Sequence, residues 1–266
     1  YICDVHEFPN LKSEFTNCGK DIVKQFAYNL PPTKAHALYR SKNDSRVFLN
    51  GYGVTNFNNE VNFSATNAHY LVSEVVTPIN MSEVDDHILP SEVCNALDAF
   101  NTEFEVLITE LKTKDKSVSR FIRMQTKDKS ILIHSKCLDS NYPDINRVIP
   151  PFNDVAHFCD IDIKALKQAL LSIGKPTDSM KSLTIEARSD ATELVLSTNQ
   201  GSYALPVVSA KWTSHKAVFN YEYVLNLCKT FDGVISMHIF PDQPTRSVLF
   251  TQQGNTRKVV IMPLRT

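Results

Sequence analysis

Glycine is scarce in this chain, with seven in 266 residues. A nucleotide-binding α/β fold uses glycines in its tight phosphate loops, and neither G-x-G-x-x-G nor G-x-x-x-x-G-K-[ST] occurs here. The Gly174–Lys175 pair of "SIGKP" has Pro176 where a Ser or Thr is needed and lacks the upstream glycine. It reads as the end of a helix. H-E-x-x-H and G-x-S-x-G are missing too. No apolar run approaches the roughly 20 residues that span a bilayer, and no basic start leads into the apolar stretch of a signal peptide. Residue 1 is Tyr rather than Met, so a processed or trimmed product is expected. The formal net charge is −1. That argues against static, tight phosphate binding as the main task and leaves room for a sliding contact through a local basic surface. Cys3, Cys18, Cys94, Cys137, Cys159 and Cys228 are scattered with no C-x-x-C pair. The expectation is reduced, mostly buried thiols in a cytoplasmic protein.

What is present is mostly strand signal. "SLTIEA", "VISMHIF" and "EVNFSAT" alternate apolar and polar residues, the period-2 pattern of half-buried strands. Turn-forming clusters separate such segments at 56–60, 113–117, 126–130, 188–192 and 252–256. Four segments predict short helices: 20–30, 90–100, 161–174 and 220–231. Pro90 and Ser91 suit a helix start, Asn220 an N-cap and Gly174 a helix end.

These elements repeat. "FPNL" (8–11) resembles "YPDI" (142–145), "VKQF" (23–26) resembles "LKQA" (166–169), "ATN" (65–67) resembles "STN" (197–199), and "ILPSEV" (88–93) resembles "VFNYEY" (218–223). The matches run in order with offsets near 130. They predict two copies of one α+β domain, each with two helices and about eight strands. The boundary falls in the proline-rich connector 140–151. Since the motif at 142–145 lies between the copies, its twin at 8–11 makes residues 1–12 look like the tail of a preceding copy.

"HFCDID" gathers His157, Cys159, Asp160 and Asp162, all possible metal ligands. A strand followed by an Asp-capped helix explains the same residues. With the remaining histidines dispersed, a non-catalytic binding or scaffold protein is the starting expectation.

"RVFLNG…FSATNAHYL", "YPDINRVIP", "VFNYEYVLNL" and the terminal "VVIMPLRT" resemble the bacterial sliding clamp, the beta subunit of DNA polymerase III. The resemblance is in order and covers most of the chain. It implies tandem copies of the DNA-clamp domain, each with two helices packed on antiparallel sheets: 1–12 the tail of an absent preceding domain, 13–141 the family's second domain and 142–266 its third. The family closes two three-domain subunits head to tail into a ring around DNA. Either a fragment of such a subunit or a two-domain form that trimerises fits the sequence. A chain without the first domain is expected to be a monomer.

The same resemblance accounts for the apolar end of the chain. In the family the last strand walls a pocket that accepts a short peptide from the polymerase alpha subunit, the clamp loader and other clamp-motif proteins. Carried over position by position, this implies a peptide site of Leu49, Thr66, His69, Leu71, Pro143, Arg147, Val148, Val260, Met262, Pro263, Leu264 and Arg265. Ala68 replaces a family glycine, Tyr70 an arginine and Thr266 a terminal leucine, which bears on peptide preference. Double-stranded DNA is the other implied partner, met without sequence readout by Lys24, Arg46, Lys164 and Lys167. The implied role is a non-catalytic processivity factor in the cytoplasm, associated with the nucleoid, with no cofactor, metal or membrane. It self-associates into a ring where the missing domain is present. The alternatives are a peptide-binding scaffold that does not encircle DNA, and an enzyme whose site the motif search does not find.

Overall fold

The structure is a computed structural model that describes residues 21–57, 60–79, 84–112, 118–187, 192–211, 214–243 and 245–265. The predicted domain tail at 1–12 and the turn at 113–117 lie outside the described residues. The described chain falls into two compact units, 21–65 with 75–143 and 66–74 with 144–265. Both are α+β with antiparallel sheets.

In the first unit, β1 (Asp21–Leu30) is followed by β2 (Tyr52–Phe57), β3 (Glu60–Thr66) and β4 (Tyr70–Pro78), whose residues 70–74 count with the second unit. Then come β5 (His87–Leu89), α1 (Ser91–Phe100), β6 (Phe104–Lys112), β7 (Val118–Gln125) and β8 (Leu132–Lys136). β1, β6, β7 and β8 pair antiparallel in that order, and β2 pairs with both β3 and β5. β3 was expected to be half-buried, but Asn62, Ser64 and Thr66 are buried along with Val61, Phe63 and Ala65.

The helix predicted over 20–30 is instead strand β1. Phe26, Tyr28 and Leu30 are fully buried while Ile22 is exposed. The period in force is therefore 2, and the helical reading had left Tyr28 out of the pattern. Pro31 and Pro32 then remove two amide donors and hold Leu30 extended. The repeat of "VKQF" with "LKQA" consequently pairs a strand with a helix. Two 3-10 turns, His36–Leu38 and Val47–Asn50, follow β1.

Those turns are fixed by Asp98 on α1. Its carboxylate accepts from Thr33 Oγ1 at 2.8 Å, from Arg40 Nη2 at 2.9 Å and from the Tyr52 hydroxyl. Arg40, whose side chain is almost wholly buried, also donates to the Asn50 carbonyl at 3.1 Å. A buried guanidinium needs such a full set of acceptors. The connector is pinned in the same unit by Tyr142. Its ring lies so close over Gly53 that any Cβ there would clash, and its hydroxyl donates to the Ser64 carbonyl at 3.2 Å.

In the second unit, β9 (Ala156–Asp162) leads into α2 (Ile163–Ile173), and Asp162 caps the helix by accepting from Ala165 N at 2.8 Å. β10 (Ser182–Ala187), β11 (Glu193–Ser197), β12 (Ser202–Pro206), β13 (Ser209–Ala210) and β14 (His215–Asn220) precede α3 (Tyr221–Thr230), capped by Asn220. β15 (Val234–Ile239), β16 (Val248–Thr251) and β17 (Lys258–Ile261) complete it. One sheet runs β13-β9-β15-β16-β17 and on to residues 70–73 of β4; the other runs β12-β11-β10-β14. Leu166, Leu170 and Ile173 of α2 and Val224 and Leu227 of α3 are buried, as the helical spacing predicts. The repeat of "ILPSEV" with "VFNYEY" falls on two strand-to-helix junctions, β5–α1 and β14–α3. Among the described residues no helix is long and apolar enough to cross a membrane.

His87 gives the first unit a titratable core. Its Nδ1 is 2.7 Å from the Asp85 carbonyl, which can only accept, so Nδ1 carries the proton and Nε2 accepts from the Tyr28 hydroxyl at 2.9 Å. Burial pushes the imidazole pKa down to about 4. The unfolded chain takes up this proton first. The contribution of the neutral ring is therefore intact above pH ~6.5 and is lost as the pH falls toward 4. Urea unfolding should show a decline in stability over that window that is shallower in His87→Gln.

Candidate functional site

The end of the chain is a strand with neighbours on both sides. β17 pairs with β16 through Val248↔Ile261 and Leu249↔Val260, and with β4 through Val260↔Leu71 and Ile261↔Tyr70. Val259, Val260 and Ile261 are fully buried, so the first half of the apolar strip is core. The surface begins at Met262, which is 40% exposed. Its amide donates to the His69 carbonyl at 3.0 Å, and Leu264 N donates to the Val218 carbonyl of β14 at 2.7 Å. Pro263 and Leu264 are half-buried and Arg265 is exposed. The tail therefore leaves the end of an inner strand of one sheet of this unit and is hydrogen-bonded to a strand of the other.

The His69 carbonyl is presented by a tight turn. Thr66 Oγ1 donates to the Tyr70 carbonyl at 2.8 Å and accepts from Ala68 N at 3.0 Å. Asn67 Oδ1 accepts from the amides of His69 at 3.0 Å and Tyr70 at 3.2 Å. Ala68 sits at φ 73°, in the left-handed region. That is where the resemblance places a glycine, and an L-residue there costs about 1–2 kcal/mol.

The predicted peptide-site residues thus divide by exposure. His69, Arg147, Val148, Met262 and Arg265 are exposed; Pro143, Pro263 and Leu264 are half-buried; Leu49, Thr66, Leu71 and Val260 are buried. Contacts within the second unit join Leu71 to Val260 and His69 to Met262. Arg147 and Val148 lie on or just after a 3-10 turn, Ile145–Arg147, whose Asp144 pairs with Arg147 at 3.2 Å. Leu49 and Pro143 belong to the first unit. Two clefts outlined by described residues, of about 230 Å³ beside Ile79 and Arg123 and about 420 Å³ beside Phe100 and Ile131, include none of the predicted residues. Sequence reasoning missed Tyr223 of α3, which stacks on Tyr70 with centroids 4.0 Å apart. It lies within "VFNYEYVLNL", one of the segments that carry the resemblance, but local pattern gives no sign of its pairing with Tyr70.

The predicted DNA contacts divide as well. Lys164 and Lys167 are exposed on α2 and pair with no carboxylate among the described residues. Lys24 was placed on a helix and lies instead on β1, paired with Asp85 at 2.7 Å. Arg46 is held by Asp44 through Nε at 3.0 Å and Nη2 at 2.9 Å, and that guanidinium holds the carboxyl down at about 2. Glu222, an acidic residue on α3, is met by Lys175 at 2.6 Å and Lys181 at 3.6 Å.

"HFCDID" is the strand and cap that its bland reading gives. His157 Nε2 is 2.9 Å from Asp160, Cys159 is buried and Asp162 caps α2. Among the described residues no cluster of three or more ligating side chains is arranged to hold a metal. Cys94, Cys137, Cys159 and Cys228 are free thiols.

No protein-family model matches the sequence, and no curated protein matches it. Solved structures do match in fold. A DnaN sliding clamp of Pseudomonas aeruginosa bound to griselimycin aligns with 99% of this chain and 68% of its own, at TM-score 0.74 and 17% identity. The beta subunit of Streptococcus pyogenes DNA polymerase aligns with 99% of this chain and 70% of its own, at TM-score 0.71 and 18% identity. Pol III beta of Caulobacter crescentus gives the same coverage, 99% and 70%, at TM-score 0.72 and 18% identity. The chain has the sliding-clamp fold. Within that class, its fold is that of the bacterial DNA polymerase III beta subunit.

Ala68→Gly should relieve the left-handed turn and stabilise the protein by about 1 kcal/mol. Chemical denaturation is the measurement, and an unchanged or lower midpoint counts against strain at this turn.

Proposed function

We propose that this chain is a non-catalytic processivity factor. It encircles duplex DNA and tethers a polymerase, a clamp loader and other clamp-motif proteins through the surface around its C-terminal tail. The observation that carries this reading is the clamp fold over 99% of the chain, ending in a tail whose exposed Met262 is hydrogen-bonded in place at His69. A thioether can repack around different partners, which suits a shared docking point. Tethering raises the local concentration of primer ends around the polymerase, so processivity needs no chemistry on the clamp. The nucleoid of the cytoplasm is where such a factor works.

Two further observations support encirclement. Lys164 and Lys167, which meet no carboxylate among the described residues, put positive charge on one exposed helix face, enough for sequence-blind phosphate contact. Among the described residues β12 has a sheet neighbour on one side only, β11, and an open strand edge accepts a strand from another subunit when a ring closes. The rival scaffold that binds peptides without DNA is favoured by the ion pairs that engage Lys24 and Arg46.

A labelled Gln-x-x-Leu-Phe peptide should bind in the micromolar range, roughly −8 kcal/mol, by fluorescence anisotropy. Met262→Asp should abolish the binding, and its absence in the unaltered chain up to millimolar peptide removes the docking role. Lys164→Glu with Lys167→Glu should lower retention on nicked circular DNA, most clearly at low salt. Equal retention of the double variant, or none by the unaltered protein loaded as a ring, favours the scaffold.

A further inference from the structure

A bulge in the second unit sets two histidines opposite each other on neighbouring strands. β9 and β15 pair Cys159 with Met237 and then, across a shift in register, His157 with His238. The extra residue on β9 is Phe158, which is buried in the core. Without the bulge His238 would stand opposite Phe158. With it two imidazoles share one face of the sheet, where directly opposed side chains have Cβ atoms about 5 Å apart. Their ring centroids are 5.7 Å apart, with planes at 70°. His157 is held by Asp160, whose carboxylate accepts from its Nε2 at 2.9 Å and from the hydroxyls of Ser236 at 2.7 Å and of Ser209. A carboxylate only accepts, so in the neutral ring the proton sits on Nε2 and Nδ1 keeps its lone pair. The Nε2 of His238 is engaged too, 2.9 Å from Thr251 Oγ1. Nδ1 of neither ring has a hydrogen-bond partner among the described residues. Phe152 meets the His238 ring edge-on at 5.4 Å, while the His157 side chain is 29% exposed. The pair is sheltered at one ring and open to solvent at the other.

We propose that His157 and His238 form a two-imidazole site for a divalent transition-metal cation such as zinc, with Asp160 as the carboxylate that orients His157. Imidazole nitrogen is a preferred donor to zinc, copper and nickel ions. Two imidazoles bound at about 2 Å to one tetrahedral ion hold their ring centroids about 5–6 Å apart, which the observed separation matches. A hydrogen bond from the far ring nitrogen to a carboxylate fixes the tautomer of a metal-bound histidine and raises its basicity. Asp160 already accepts from three side chains, so it orients rather than ligates. The described residues supply no third ligand, and the remaining positions go to water, as in zinc sites that stay open. The bound ion ties β9 to β15 at the bulge, where the ladder between them is interrupted. No residue of the peptide or DNA surfaces proposed above takes part, so the site stands apart from that reading.

The test titrates zinc chloride into the full chain, freed of metal by a chelator, and reads binding by isothermal titration calorimetry. One zinc ion should bind per chain. Asp160→Asn should lower the affinity by about 10–100-fold, and His157→Gln and His238→Gln by at least as much. His134→Gln, in the first unit, should leave it unchanged. Zinc should also raise the melting temperature of the unaltered chain but not that of the His157 and His238 variants. No binding up to millimolar zinc overturns the site, and so does binding that survives intact in either of those two variants. Unchanged affinity in Asp160→Asn overturns the orienting role of the carboxylate. Should His238→Gln fail to fold, the partly exposed His157 decides alone: a His157→Gln chain that binds zinc as the unaltered protein does overturns the proposal.

Discussion

The two-sided pairing of β17 is the constraint on which the candidate site depends. A terminal segment ordinarily frays, because few contacts repay the entropy of ordering it. Here β16 on one side and residues 70–73 on the other satisfy the strand's backbone groups, and three successive apolar side chains, Val259 to Ile261, are taken out of water. Burial of that kind contributes roughly 1.5–3 kcal/mol per large aliphatic residue. The segment that follows then has a fixed starting point. Met262, Pro263 and Leu264 extend from an ordered strand and are caught by two backbone carbonyls, those of His69 and Val218. Without the ladder neither hydrogen bond has a defined geometry.

The sequence disclosed the fold unevenly, for reasons that individual residues make plain. α2 and α3 were legible because their apolar residues recur at helical spacing and Asp162 and Asn220 stand at their starts as caps. β1 was misread because Ile22, Val23, Phe26 and Leu30 also fit a helix. Only the buried Tyr28 and the two following prolines decide for the strand. The terminal strip was visible as apolar, but composition does not distinguish a core strand from a docking wall. The structure divides it at Ile261, with core before and surface after. The link from Tyr223 to Tyr70 spans about 150 residues of sequence, a separation over which local pattern carries no signal.

Several charges are met by ion pairs within each unit. Asp98 meets Arg40, Asp85 meets Lys24, Asp44 meets Arg46 and Glu222 meets Lys175. Arg40–Asp98 is buried, whereas the more exposed pairs add little stability; together they shrink the cationic surface that a polyanion meets. Among the described residues, the helix lysines outside such pairs are the exposed Lys164 and Lys167 of α2 and Lys229 of α3. A near-neutral protein with scattered lysines outside ion pairs suits transient, salt-sensitive phosphate contact better than tight binding. That is the kind of contact the proposed role, retention by topology with sliding, calls for.

The central claim is that the tail and its turn form the place where partner peptides dock. Photo-crosslinking tests it most directly, with a clamp-motif peptide carrying a photoreactive group beside its leucine and the attachment site read by mass spectrometry. The account predicts crosslinks at Met262 and its neighbours His69 and Leu264, suppressed by excess unlabelled peptide. Competable crosslinks confined to other surfaces, such as the cleft beside Phe100 and Ile131, would contradict it.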